Sequence, residues 1–278
     1  MSEYRVWGSR DIKSVEAVTL DGLDSSSWKP PTSGNTSERS NAGFDVLRHL
    51  IENLSFTPAT NKTAVKHRQT VEHFRADLLD WAEDNMRSFP WRDATDPYEV
   101  LVAEILLQKT AAEKVEPIYT ELLATYPSLK DLAEADQDRL GNIIYSLGFQ
   151  NQRSNALIKI GQELRDSGVP QDFQDLLELP YVGRYAANAT LCFAYDEPRP
   201  IVDANVVRVY NRIFDKEFDY RGEDTWSFAA AVLPADDARR YNLAILDFAA
   251  VVCQPKVPVC DKCFFTDSCH YYQANQTG

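Results

Sequence analysis

No apolar run in the 278 residues approaches the roughly 20 that would span a bilayer, so no membrane-spanning helix is expected. The first residues, Met1 to Asp11, mix charged and polar side chains and lack the apolar core of a secretory leader. Both absences predict a soluble cytoplasmic protein with no membrane partner. Cysteine is scarce, with five in all, and pairs are not spread along the chain as a secreted disulfide framework would require. Four of the five fall between Cys253 and Cys269, a clustering that suggests metal binding. Runs of period-two alternation are missing, as are internal repeats, which argues against a β architecture. Positive charge is also short: 29 Lys and Arg against 42 Asp and Glu give a net charge of -13. A protein that neutralises phosphates usually carries a basic footprint. The acidity leaves three readings: basic groups and backbone N–H donors concentrated on one face, no nucleic-acid partner at all, or adaptation to a salty cytoplasm.

What is present is helical patterning. Residues 1–65 stand apart; Asp24 to Ser37 is turn-rich and predicts no packed structure, and Phe44 to Ile51 forms one short amphipathic helix. This stretch reads as an accessory extension. From residue 66 onward, Phe74, Leu78, Leu79 and Trp81 mark one face of a first helix. Helical patterns follow over Tyr98–Val115, Pro117–Thr125, Asp136–Ser146, Gln152–Asp166, Arg184–Tyr195, Asp203–Phe214, Trp226–Leu233 and Tyr241–Val251. Pro90, Pro127, Gly148, Pro170, Pro180, Pro200 and Pro234 punctuate the joins. The fold class is all-α.

The clustered cysteines are spaced Cys253-x6-Cys260-x2-Cys263-x5-Cys269, directly after an Ala-Ala-Val-Val stretch that ends a helix. Four thiolates in one short loop suit a soft metal centre. Ligand chemistry alone admits both a four-thiolate zinc site and a four-iron cluster.

Two further segments carry chemistry. Leu179-Pro-Tyr-Val-Gly joins a short helix to a longer one through a tight turn. Gly183 then opens a helix whose free N–H groups can receive a phosphate without side-chain charge. Downstream, Ile201-Val-Asp-Ala-Asn sets Asp203 at the start of another helix, where an N-cap role would by itself account for the residue. That position also favours the ionised carboxylate. A fixed anion there can stabilise positive charge that develops on a reacting substrate.

Together these segments, over nearly all of residues 70–272, resemble the helix-hairpin-helix DNA glycosylases of the endonuclease III-like superfamily. The family pattern is a hairpin, a helix, then a Val/Leu-Asp-x-Asn turn with the essential aspartate, and Asp203 matches it. The six-two-five cysteine spacing is similar to that of endonuclease III and the adenine glycosylases. The resemblance therefore implies a [4Fe–4S] cluster on Cys253, Cys260, Cys263 and Cys269, holding a loop that presents Lys256 and Lys262 to phosphates. It also implies a helical barrel domain with the hairpin at 95–202 and a discontinuous cluster domain at 66–94 and 203–272. Double-stranded DNA with a mismatched or damaged base would bind between them, with a monomer acting in the cytoplasm at the nucleoid. One departure is Tyr181, where the family usually has glycine. A positive φ there would strain tyrosine by roughly 1–2 kcal/mol.

Three positions bear on the base removed. Bifunctional relatives carry a Schiff-base lysine where this chain has Tyr185, adenine glycosylases usually carry serine, and mismatch-specific thymine glycosylases carry tyrosine. A phenol forms no Schiff base, so base excision with weak or no strand-cleaving lyase activity is expected. Glu104 shares a helical face with Val100, Leu101, Leu107 and Gln108, which predicts a raised pKa suited to proton donation or base orientation. This acid is similar to that of the adenine and thymine branches and unlike endonuclease III. Leu243 stands where adenine enzymes tend to have glutamine, and Gly148-Phe-Gln-Asn-Gln-Arg also fits the thymine branch. One of Phe149 or Gln150 would fill the gap left by a flipped base. Gln108, Gly183, Arg184 and Asn205 complete the expected DNA or substrate contacts. The sequence given stops nine residues after Cys269, without the C-terminal domain typical of adenine enzymes. The favoured expectation is excision of thymine or uracil opposite guanine. The alternatives are adenine excision opposite guanine or oxidised guanine, a bifunctional lyase, and a non-catalytic iron–sulfur DNA-binding protein.

Overall fold

A computed structural model describes the backbone of residues 58–276 and side chains from Gln69 onward. The accessory stretch and the helix expected over Phe44–Ile51 lie outside the described residues, apart from the end of the stretch, which enters the first helix. Regular structure among the described residues is entirely helical. The first helix, α1, spans Pro58–Asn85, and α2 spans Pro97–Leu107. Then come α3 (Ala112–Thr125), α4 (Leu129–Ala133), α5 (Gln137–Ile143), α6 (Gln150–Leu164) and α7 (Phe173–Glu178). The hairpin leads into α8 (Arg184–Tyr195), followed by α9 (Ala204–Phe214), α10 (Glu223–Val232), α11 (Ala238–Val251) and α12 (His270–Gln276).

Side-chain caps set many of the starts. Asp96 accepts from the Tyr98 N–H at 2.8 Å with Pro97 in the first helical position, a pairing that both satisfies a free donor and pre-sets φ. Ser128, Asp136, Asp172 and Asp203 cap α4, α5, α7 and α9 in the same manner.

The long helix expected over Tyr98–Val115 is two helices. After Leu107 the chain turns through Gln108–Ala111, with Lys109 at φ 55° and the Thr110 N–H bonded to the Leu107 carbonyl. The next helix starts at Ala112 and carries Pro117 inside it, so the expected start at Pro117 is five residues late. Apolar spacing continues across this break, because Leu107 and Val115 both face the same core.

Two large apolar clusters organise the chain. One gathers Leu101, Ile105 and Leu106 of α2 with residues of α3–α8, among them Leu122, Leu140, Leu157, Leu176 and Ala187. The other joins Phe74 and Leu78 of α1 to Val206, Val209 and Tyr210 of α9, Trp226 of α10, Phe248 of α11 and Phe265 in the cysteine loop. A small third cluster, with Val100, Ala189, Cys192, Phe193, Ile201 and Leu243, lies where the chain crosses from one to the other. An ion cluster reinforces this crossing. Asp247 of α11 is fully buried and accepts from Arg92 at 2.5 and 2.7 Å and from the Arg87 N–H and Nε at 2.9 and 2.6 Å.

Candidate active-site cleft

A cavity of about 1340 Å³ opens where α2, α8, α9 and α11 approach one another. Glu104, Gln108, Phe149, Gly183, Tyr185, Asp203, Asn205 and Leu243 all line it. Gln150, the first residue of α6, and Arg184 stand outside this lining. Arg184 instead pairs with Glu223 at 2.6 Å and lies 4.2 Å over the Trp226 ring, bracing α8 against α10.

Glu104 sits on α2 with 4 % of its surface exposed, and its Oε2 has no hydrogen-bond partner. Burial, with a smaller push from the Asp203 charge, raises its pKa to about 8. A carboxyl group in that state is protonated at neutral pH and can donate. Tyr185, on the first turn of α8, has its phenol pushed well above the ordinary value, first by burial and then by Glu104 and Asp203. It stays a neutral phenol at any physiological pH.

Asp203 is held in a different environment, fixed by hydrogen bonds at the start of α9. Its Oδ1 accepts from the N–H groups of Asn205 and Val206, both at 2.8 Å, at the positive end of α9. Its Oδ2 accepts from the Asn205 Nδ2 at 2.6 Å. Arg208 then donates to Asn205 Oδ1 at 3.0 Å and to the carbonyls of Cys253 and Ala249, each at 2.9 Å. The orientation of Asp203 is thereby linked to the backbone of the cysteine loop. Nothing in the sequence pattern pointed to Arg208, whose partners lie as far as 45 residues away.

The hairpin is built with its strain in place. Tyr181 adopts φ 68°, the left-handed conformation for which glycine is better suited. Its carbonyl accepts from Gln108 Nε2 at 2.8 Å, which ties the hairpin to the end of α2. Gly183 is extended rather than left-handed, and α8 starts without a side-chain cap, leaving its first-turn N–H groups free of one at the cleft. Phe149 is half exposed at φ 54°, and its ring lies 5.5 Å from Lys109 Nζ and 6.0 Å from the Arg153 guanidinium. Tyr220, in the loop before α10, is a further exposed aromatic on the lining that sequence reasoning missed. The charge distribution also departs from that of the whole chain. Arg87, Arg92, Lys109, Arg153 and Arg239 line the cavity with Glu104, Glu113 and Asp203, but Arg87 and Arg92 are paired with the buried Asp247 and Arg153 is 1 % exposed.

Beyond α11 the cysteine loop folds back on α9. All four cysteines are unpaired as disulfides; Cys253 and Cys269 are buried, and Cys260 and Cys263 partly so. Burial raises the Cys263 thiol to about 11 and raises Cys260 and Cys269 as well, with the neighbouring cysteines adding to each. Arg212 Nη1 lies 3.5 Å from Cys253 Sγ, and the Phe265 N–H lies 3.4 Å from Cys263 Sγ. Among the described residues, no group of three or more His, Cys, Asp or Glu side chains forms a ready site for a metal ion. Lys256 and Lys262 are exposed on this loop. No helix among the described residues is long and apolar enough to cross a membrane.

Residues 102–219 match the family described as HhH-GPD superfamily base excision DNA repair protein. The chain is 34% identical over 225 residues to a thymine/uracil-DNA glycosylase of Methanothermobacter thermautotrophicus, covering 79% of this chain and 99% of that protein. It is 38% identical over 214 residues to a thymine/uracil-DNA glycosylase of Pyrobaculum aerophilum, covering 73% and 93%. The solved structure of a thermostable thymine-DNA glycosylase superposes with a TM-score of 0.72 at 32% identity, over 75% of this chain and 99% of that one.

Proposed function

The chain belongs to the HhH-GPD superfamily of base excision DNA repair proteins, and on that premise we propose that it hydrolyses the N-glycosidic bond of thymine or uracil opposite guanine in duplex DNA. The observation that carries the glycosylase chemistry is two carboxyl groups held in different environments within one cleft, and the pyrimidine assignment rests on the similarity to thymine/uracil-DNA glycosylases. Glu104 is buried with an unpartnered oxygen and a pKa near 8; Asp203 is fixed by two backbone N–H groups and Asn205. A buried carboxyl group able to donate, beside a carboxyl group fixed by N–H donors, divides the proton-donor and charge-stabilising roles between the two.

In this mechanism the duplex lies across the cleft with a phosphate at the first turn of α8, where backbone donors supply the attraction without side-chain charge. Lys109, exposed on the lining, adds a cation to those donors. The target nucleotide rotates out of the stack into the space between Glu104 and Tyr185. As the bond from C1′ to the base lengthens, the sugar becomes cationic, and the Asp203 carboxylate opposes that charge without having to reorganise. The electron pair leaves with the base. Glu104 gives its proton to a carbonyl oxygen of the pyrimidine, so that the base leaves as a neutral tautomer and Glu104 becomes the carboxylate. Asp203 then takes the proton of the water that attacks C1′. Tyr185 packs on or hydrogen-bonds the base, and a neutral phenol offers no amine for strand cleavage, so we assign a monofunctional reaction.

We further propose the domain division at 95–202 against 66–94 and 203–272; the two apolar clusters support it. The donor set of Cys253, Cys260, Cys263 and Cys269, with N–H groups directed at two of the sulfurs, fits a [4Fe–4S] cluster. When bound, such a cluster would cross-link the loop that carries Lys256 and Lys262.

The test is purified full-length protein incubated with duplexes containing T:G, U:G, A:G and A opposite oxidised guanine, followed by alkali. Strand scission at T:G and U:G is expected. Scission only at the adenine pairs would overturn the pyrimidine assignment, and none anywhere would favour a binding protein. Asp203→Asn is expected to abolish excision while mismatch binding persists.

A further inference from the structure

Arg153 lies in the first turn of α6 and is 1 % exposed, yet no carboxylate among the described residues pairs with it. A buried cation without a counter-ion is costly, and its hydrogen bonds must offset that cost. Nη1 donates to the carbonyls of Leu147 and Gly148 at 3.1 and 3.3 Å. Nη2 donates to the Gln108 carbonyl and to Thr110 Oγ1, the latter at 2.9 Å. Thr110 Oγ1 in turn bonds the Gln108 carbonyl at 3.1 Å. One guanidinium thus grips two loops that are about 40 residues apart in the chain.

Each of those loops presents one exposed side chain to the cleft from a left-handed backbone: Lys109 at φ 55° and Phe149 at φ 54°. Non-glycine residues hold this conformation only where the surroundings over-determine it. The two side chains meet, with the Lys109 ammonium 5.5 Å from the Phe149 ring centroid. The carbonyl before Lys109 and the carbonyl before Phe149 are both acceptors of Arg153.

We infer that Arg153 is a positioning residue that locks Lys109 and Phe149 into one preformed, two-pronged probe for the gap left in the duplex by the flipped nucleotide. It touches neither the base nor the sugar; its work is to set two loops in register before DNA arrives. Preorganisation of this kind lowers the ordering cost of opening the duplex, because neither prong has to be fixed on binding. The inference rests on the base-flipping reading of the cleft.

The readout is therefore the difference between substrates that must be opened and substrates that need not be. Wild-type protein and Arg153→Lys are compared on uracil opposite guanine in a duplex and on uracil in a single strand, under single-turnover conditions. Lysine keeps the charge but cannot span both loops with its single nitrogen. A loss of ten- to a hundredfold on the duplex, with single-strand excision within about twofold of wild type, is expected. An equal loss on both substrates, or none on either, would overturn the positioning role. If wild type itself excises from neither, it is the glycosylase reading that fails. A second variant guards against misfolding: in a Phe149→Ala, Lys109→Ala background, adding Arg153→Lys should cost less than threefold further. A full additional ten- to hundredfold loss there would show that Arg153 acts through something other than the two prongs.

Discussion

Glu104 and Asp247 are both carboxylates withdrawn from water, and they could hardly be used more differently. Asp247, on α11, accepts four hydrogen bonds from Arg87 and Arg92 and joins the segment after α1 to the second apolar cluster. Glu104, on α2, has a carboxyl oxygen with no partner and a pKa raised to about 8 by burial. Depth alone thus says little about role. A buried acid that is saturated by cations is an element of the framework; one left unpaired beside a cleft fits the donor role proposed for Glu104.

The contrast can be broken most severely at Asp247. Asp247→Asn leaves two cations, one of them only 9 % exposed, without their anion, and urea unfolding should register a loss of about 3–5 kcal/mol. An unchanged midpoint would mean that the triad contributes nothing. Glu104→Gln should behave in the reverse sense, slowing excision by roughly 10²–10⁴-fold while raising stability. The sign follows from proton linkage. Because the folded-state pKa lies above the unfolded one, the native protein binds this proton more tightly between pH 4.5 and about 8. Its stabilising contribution is complete below pH 4.5 and is lost as pH rises through 8, so the thermal advantage of the glutamine variant should grow over that interval and then level off. The same titration predicts a wild-type excision rate that falls above pH 8, with that limb absent from the residual activity of Glu104→Gln. Smallest of all, Tyr181→Gly should relieve the left-handed backbone of the hairpin and raise stability by about 1 kcal/mol or less, since glycine also adds entropy to the unfolded chain. A clear loss of stability instead would show that the ring makes contacts worth more than the strain.

Much of this was readable from local pattern. Asp203 announces itself because an N-cap acid two residues before an asparagine is a short-range arrangement, and the hydrogen bonds that fix it span only two or three residues. Glu104 is visible because its aliphatic neighbours are on the same helix. The strain at Tyr181 could be anticipated because a left-handed turn residue is a local property. Asp247 and Arg153 were silent for the opposite reason: the partners of Asp247 lie 155–160 residues away, and the loop that Arg153 ties to its own lies 43–45 residues away, so no periodicity carries that information. The break at Lys109 was hidden because the apolar spacing runs through it, and lysine rarely marks a left-handed turn. Phe149, at a left-handed φ, lines the cleft, whereas Gln150, the first residue of α6, stands outside that lining.

The pairing of α1 with the far end of the chain has a consequence for how the protein is made. Arg75 bonds the carbonyl of Val232 and Arg240 bonds that of Leu79, contacts 157 and 161 residues apart. At about 5–20 residues per second, α1 leaves the ribosome on the order of 10–30 s before those partners exist. Over that interval Phe74 and Leu78 have nothing of their final core to cover them, while the segment from α2 to α8 already has its whole apolar cluster available. The nascent chain is therefore expected to acquire structure from its middle outward. Helix α1 docks only when α9 to α11 have emerged, and the four-cysteine loop then closes a unit that α1 began.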